Sequence, residues 1–322
     1  MSALLAIEDL TIDFFRDGRL SARAVRGVSL EVAAGEALGV VGETGCGKTV
    51  TGLSVLRMLP RTARTSGRIV FDGHDVLTLP ERELRALRGS RVGMVFQNPG
   101  TSFNPVFPIG RQLQLVAERH LGLDRRTSAK LVAERLREVE LPDPERTMRL
   151  YAHEMSGGML QRAMIAMAIL CRPSLLIADE PTTALDVTLA EQILRLLRSL
   201  QREYGFAVFF ISHDLDLVGD FCDRVSVLYA GRVVESGPAA ELLAEPHHPY
   251  TRALLEALPR RAQPGRELTA VSGSVPTALE ELPGCAFAPR CPLAGPECSF
   301  APPPFEPTGL RRSAACYRWE LA

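Results

Sequence analysis

GETGCGKT, residues 42–49, fits G-x-x-x-x-G-K-S/T and stands between an apolar run, ALGVV, and a helix-like segment, TVTGLSVLRML. Flanks of that kind are the setting in which the pattern works. Gly42, Gly45 and Gly47 let backbone N–H groups curl round an anion, and the helix start behind them favours negative charge. Lys48 reaches β- and γ-phosphates, and the Thr49 hydroxyl can ligate Mg²⁺. Glu43, Thr44, Cys46 and Val50 complete the segment expected to line a nucleotide's phosphates. A helix start can lower the pKa of a thiol such as Cys46. The plainer reading is favoured, a small side chain tolerated in a loop that acts through its backbone and Lys48.

Outward from the loop, the apolar runs ALGVVG, RVGMVFQ, LLIADE, AVFFISHD and RVSVLYAG alternate with helix-like segments. Strands buried on both faces of a mainly parallel sheet have this texture. LTIDFF, VSLEV and GRIVFDG alternate inward and outward, as in an antiparallel layer with one wet face. Helical periods follow in IGRQLQLVAERHLGL and TSAKLVAERLREVEL, with Pro142 and Pro144 expected to end the second. The fold class is α/β: a P-loop NTPase core with an antiparallel β-subdomain and a helical subdomain, plus a small Cys-rich C-terminal module. Residues 1–237 form the nucleotide-binding domain, with the helical subdomain at about 98–165, and 238–322 form the extension.

Composition narrows the classes. The 322 residues carry a formal net charge of −1 and no long basic block, so there is no electrostatic footprint for a nucleic-acid backbone. MSALLAIEDL has no basic n-region, so the chain is expected to stay in the cytoplasm. The apolar stretch AMIAMAILC is far shorter than the ~20 residues that cross a bilayer, so any membrane role comes through a partner.

Further candidates lie at the carboxyl ends of apolar strands, where open α/β sheets bind ligands: Gln97 after RVGMVF, Asp179 and Glu180 after LLIA, and His213 after AVFFIS. Adjacent acids on a strand point to different sides. Asp179 would hold the Mg²⁺ shell, Glu180 would polarise the attacking water, and His213 would contact the γ-phosphate. In MSGGMLQR, Ser156 is the expected N-cap of a helix whose first N–H groups Gly157 and Gly158 leave open to an anion. One cradle and one spare anion site point to two chains, each completing the other's nucleotide.

In this order, GETGCGKT, Gln97, MSGGMLQR, LLIADEP, the ALD of 184–186 and His213 resemble the ATPase subunit of an ABC transporter, over about residues 4–237. The resemblance implies two such subunits sandwiching two ATP molecules head to tail and opening after hydrolysis. It implies that Gln97 couples the metal site to membrane subunits, that Ser156 and Gly158 touch the opposite nucleotide, and that Asp186 bridges the subunits. Phe14, or its neighbour Phe15, would stack on adenine. Met155 and Met159 depart from the commoner LSGGQ form at its outer positions, while Ser-Gly-Gly is intact. Met159, NPGTSFNPVFPIG and HPYTRALLEALP are similar to the oligopeptide/dipeptide importer branch, some of whose systems carry nickel. The implied partners are a second ABC ATPase, paralogous or identical, two permeases and an external solute-binding protein, with this subunit peripheral on the cytoplasmic face of the membrane. A soluble redox-sensing or DNA-maintenance ATPase is the rival reading. The chain lacks the long heptad insertion expected of its chromosome-type members. His247 and His248 precede Pro249, which reads as the first residue of a helix rather than part of a metal site.

The last segment contains Cys285, Cys291, Cys298 and Cys316, spaced C-x5-C-x6-C-x17-C, and eight prolines between Pro283 and Pro307. A module so small and proline-rich is expected to need a staple. Four thiolates suit zinc or a 4Fe–4S cluster, and the missing C-x2-C pair favours the cluster. Reduced thiols or disulfides stay open as well. VSGSVPTALEELPGCAFAPRC also resembles the extension of peptide-importer ATPases, where four cysteines can hold such a cluster. Cys171 and Cys222, in apolar surroundings, read as core thiols.

Overall fold

The computed structural model describes residues 3–183, 185–258, 273–279 and 282–321. In chain order its strands are β1 (Leu5–Arg16), β2 (Arg19–Val32), β3 (Ala37–Val41), β4 (Ala63–Phe71), β5 (His74–Asp75), β6 (Val92–Val95), β7 (Leu175–Asp179), β8 (Ala207–Ser212), β9 (Arg224–Tyr229), β10 (Arg232–Pro238), β11 (Glu306–Gly309) and β12 (Arg312–Ala314). The chain forms two compact units: Met1–Leu77 with Phe210–Ala322, and Thr78–Phe209. Strand β8 runs from the second into the first.

In the first unit, the alternating segments build the antiparallel layer β2-β1-β4-β5. Leu5 and Ile7 point inward, then Leu10 and Ile12, so the step from Ile7 to Leu10 is three residues where the alternation calls for two. The register shifts between Ile7 and Leu10, and Asp9 adopts φ 46° there, so a bulge absorbs the extra residue and keeps one face apolar. The second sheet of this unit runs β11-β12-β10-β9-β3, with β3 parallel to β9 and the rest antiparallel. All five residues of β3 are buried, as its unbroken apolar run requires.

The tail is no free-standing module. Strand β12 pairs Ala314 with Glu235 and Ser313 with Ser236, so the hairpin β11–β12 extends the sheet at β10. The Glu235 carboxylate, 1% exposed, accepts the N–H groups of His247 at 2.7 Å and His248 at 3.0 Å and faces Arg312 at 3.7 Å. Ladder bonds to β10 hold the hairpin within residues 238–322.

The second unit places the parallel pair β6 and β7, both fully buried, with the helices Ile109–Leu121, Arg125–Glu138, Gly157–Ile169 and Val187–Tyr204. Their ends follow local chemistry. Asp124 accepts the N–H groups of Arg126 and Thr127, and Gly122 and Gly205 close their helices with left-handed backbone. The second helix already ends at Glu138, before the prolines, and Pro144 begins the short helix Pro144–Thr147 rather than ending its predecessor. This unit is wider than the helical insertion expected at 98–165, because it also holds β6 and β7.

Candidate functional site

In the first unit, the loop Gly42–Thr49 passes from β3 into the helix Lys48–Val55, whose N-cap is Gly47. Gly42 has φ 151°, and a Cβ there would lie 2.2 Å from the Leu228 carbonyl oxygen; at Gly47, with φ 102°, it would lie 2.6 Å from the Ala24 oxygen. Only glycine fits these two positions. Lys48, 5% exposed, folds its ammonium back to donate to the Gly42 oxygen at 2.6 Å and the Glu43 oxygen at 3.1 Å. That arrangement holds a cation at the mouth of the loop, ready to exchange carbonyl partners for phosphate oxygens. Cys46 is fully buried and burial pushes its thiol up against the opposing pull of Lys48, which supports the plainer reading of that cysteine. Thr44 and Gly45 are exposed, and Thr49 and Val50 are half-buried at the helix start.

Glu43 is held from two directions by residues that sequence reasoning did not single out. Its N–H donates to the Tyr250 hydroxyl at 2.9 Å, and its carboxylate takes a two-pronged ion pair from Arg290 at 2.8 and 3.0 Å. Tyr250 is fully buried in the helix Pro249–Glu256, whose N-cap His248 accepts the Tyr250 N–H. His248 is itself fully buried, and burial lowers its pKa to about 3, so it is neutral; Pro249 opens the helix as expected. His247 instead bonds Thr308 at 2.8 Å. Phe14 is half-buried with Ala22 and Ala63 opposite it, whereas the ring of Phe15 is covered by Arg64 with the guanidinium 4.2 Å from its centroid. His213 lies exposed just past the end of β8.

In the second unit, Asp179 ends β7 at 4% exposure and Glu180 follows it in left-handed backbone, φ 46°. A non-glycine residue there costs about 1–2 kcal/mol, a strain that clusters at functional sites. The Glu180 carboxylate accepts from Gln97 Nε2 at 3.1 Å and from Thr183 Oγ1 at 2.8 Å, so two donors fix its orientation. Gln97 and Glu180 were both expected; Thr183, in the turn after Pro181, was not, and its spacing of three from Glu180 is the signal that could have found it. Ser156 caps the helix Gly157–Ile169 by accepting the Met159 N–H at 3.3 Å. Ser156 and Gly157 are exposed, Gly158 is buried against Leu189, and Met155 is 8% exposed, so the departure at that position is a packing residue. Asp186 caps the helix Val187–Tyr204 through the Leu189 N–H at 2.9 Å; Ala184 of the same ALD stretch lies outside the described residues.

The four tail cysteines are free thiols that line one small cavity together with His248, Phe287 and Leu293. Burial raises Cys285, Cys291 and Cys316, the last to about 11. Among the described residues no group of three or more His, Cys, Asp or Glu is placed to hold a metal ion, so the expectation of a zinc or iron–sulfur centre at Cys285, Cys291, Cys298 and Cys316 gains no support from this geometry. Val271, Ser272, Glu280 and Glu281 of the stretch preceding Cys285 lie outside the described residues. Cys222 is buried as expected; Cys171 is only half-buried, and burial lifts its thiol to about 11.

A strand-loop-helix phosphate cradle, a strained and doubly anchored glutamate and a capped Ser-Gly-Gly helix start define a nucleotide-hydrolysing cassette. The chain belongs to the ABC transporter family, whose model matches residues 25–183. Residues 234–298 match the oligopeptide/dipeptide transporter C-terminal region. The chain is 44% identical over 320 residues to the oligopeptide transport ATP-binding protein OppD of Salmonella typhimurium, covering 98% of this chain and 94% of that protein. It is 49% identical over 319 residues to a probable peptide ABC transporter ATP-binding protein of Sinorhizobium fredii, covering 98% and 95%. Among solved structures it is similar to the dimeric ATP-binding cassette MJ0796 in a post-hydrolysis state bound to ADP and Pi, with TM-score 0.65 and 25% identity over 73% of this chain and 98% of that one. Clostridium perfringens cbiO1, part of the ABC transporter complex cbiONQ, gives TM-score 0.64 and 27% identity over 76% and 92%.

Proposed function

We propose that this chain is the ATP-binding and ATP-hydrolysing subunit of an importer that takes up di- and oligopeptides across the cytoplasmic membrane. The observation that carries the reading is the loop Gly42–Thr49 with the Lys48 ammonium folded onto its carbonyls, in a chain whose length is matched by peptide-transport ATPases. Among the described residues no helix is long and apolar enough to cross a membrane. Two permease subunits would form the transport path, with this chain at the cytoplasmic face. An external solute-binding protein delivers the cargo.

In this mechanism the loop N–H groups and Lys48 bind the β- and γ-phosphates, and Phe14, flanked by two alanines, stacks on adenine. Bound Mg²⁺ would neutralise charge developing on the phosphates, and the hydroxyl of Thr49, the amide of Gln97 and the carboxylate of Asp179 are the hard oxygen donors it prefers. Glu180, oriented by Gln97 and Thr183, polarises the attacking water, and His213 contacts the γ-phosphate. The exposed Ser156 and Gly157 with Gly158 close on the nucleotide of a second, similar ATPase subunit, and Asp186 lies at that contact. A paralogous partner is the proposed mate. The four tail thiols would hold a 4Fe–4S cluster; what supports this is the set of four cysteines in a segment that matches the oligopeptide/dipeptide transporter C-terminal region in part.

Glu180→Gln should retain ATP binding and slow hydrolysis roughly 10²–10⁴-fold; turnover at the wild-type rate would remove Glu180 from the mechanism. Affinity purification from membranes should recover two permeases. Anaerobic purification with a visible absorbance scan and an iron assay tests the cluster, and a colourless, iron-free protein would discard it.

A further inference from the structure

Glu43 places a carboxylate inside a loop whose task is to bind a polyanion. Left alone, it would repel the triphosphate. Arg290 meets it in the geometry that a guanidinium and a carboxylate favour, with Nη1 to Oε2 at 2.8 Å and Nη2 to Oε1 at 3.0 Å. The Arg290 side chain is 4% exposed and Glu43 28%, so the pair is shielded more than a surface ion pair. Nη1 also donates to the Tyr229 hydroxyl at 3.2 Å, and the guanidinium lies 5.7 Å from the Tyr229 ring centre and 5.8 Å from that of Phe287. These rings, with Tyr250, form one aromatic cluster. The guanidinium is thus fixed by the end of β9 and by the segment that carries Cys285 and Cys291, and the partner it is fixed upon is 247 residues earlier in the chain.

We propose that Arg290 is a positioning residue for ATP: it neutralises Glu43 and, with the Tyr250 hydroxyl on the Glu43 N–H, lets the C-terminal region set the affinity of the phosphate loop. The inference rests on reading Gly42–Thr49 as the nucleotide loop. Charge, rather than the shape of the fork, carries the effect on ATP, which separates this role from simple bracing of the fold.

The test is a double-mutant cycle on the full chain, reading Kd for MgATP by equilibrium dialysis together with kcat. Arg290→Gln should weaken ATP binding about tenfold, the order expected of an uncompensated like charge near the phosphates, with kcat at saturating ATP within about twofold. Adding Glu43→Gln should restore most of that affinity although the fork is still missing, because the repelling charge is gone. Bracing alone makes the double variant no better than Arg290→Gln; that result, or an Arg290→Gln protein with wild-type affinity, overturns the inference. Should Arg290→Gln not fold, Arg290→Lys is measured instead: lysine keeps the charge but not the two-pronged contact, so ATP affinity within about twofold of wild type is expected, and a loss of about tenfold overturns the inference. Wild-type protein that binds no ATP overturns the nucleotide reading together with this one, whereas normal wild-type binding with additive substitutions overturns this inference alone.

Discussion

Two glycine-bearing helix starts serve this protein in opposite ways. The phosphate loop is closed upon its own unit: Gly42 and Gly47 touch neighbouring backbone, Lys48 bonds loop carbonyls, and Glu43 is gripped by Tyr250 and Arg290. The Ser-Gly-Gly start is open: Ser156 and Gly157 are exposed, and a Cβ on Gly157 would meet nothing within 4 Å. Both are helix starts of the kind whose N–H groups can receive an anion, but only the first is braced by a buried lysine and an ion pair. A helix start that its own unit leaves uncovered is fit to receive a nucleotide held elsewhere, which is what a pair of subunits needs.

Substitutions can break that contrast. The largest effect is expected from Gly47→Ala, where positive φ and a 2.6 Å clash with the Ala24 oxygen force the loop to move; ATP binding should fall by at least about a hundredfold, if a shift of the loop costs the roughly 3 kcal/mol of a strained backbone site. Ser156→Ala should cost about 1 kcal/mol of stability through the lost cap, read as a shift in the denaturant midpoint. The smallest change in the isolated chain should come from Gly157→Ala: stability and ATP binding stay near wild type, while ATP-dependent association with the partner subunit falls, seen by size-exclusion chromatography of a Glu180→Gln background. A Gly157→Ala chain that binds ATP less tightly on its own would erase the difference between the two helix starts.

Much of this was legible locally. Unbroken apolar runs such as ALGVV and LLIAD became strands buried on both faces, and alternation in LTIDFF became the antiparallel layer, because burial is written in the period of the sequence. The cradle was legible since its glycines, lysine and flanks are contiguous. What escaped depends on contacts between distant residues. Arg290 reads as an ordinary charge among prolines and cysteines, and nothing near it in sequence points to Glu43. The pairing of Ala314 with Glu235 is likewise invisible in composition, so nothing in a small, proline-rich segment announced a sheet extension.

That extension also governs how the molecule meets its own kind. An unpaired β10 would offer a row of bare amides and carbonyls to any other strand in solution. Ala314 and Ser313 occupy that row, and the outermost strand β11 is four residues long and carries Pro307, which has no N–H to give. Chains cut before residue 306 should therefore stick to one another and precipitate, however intact their nucleotide chemistry.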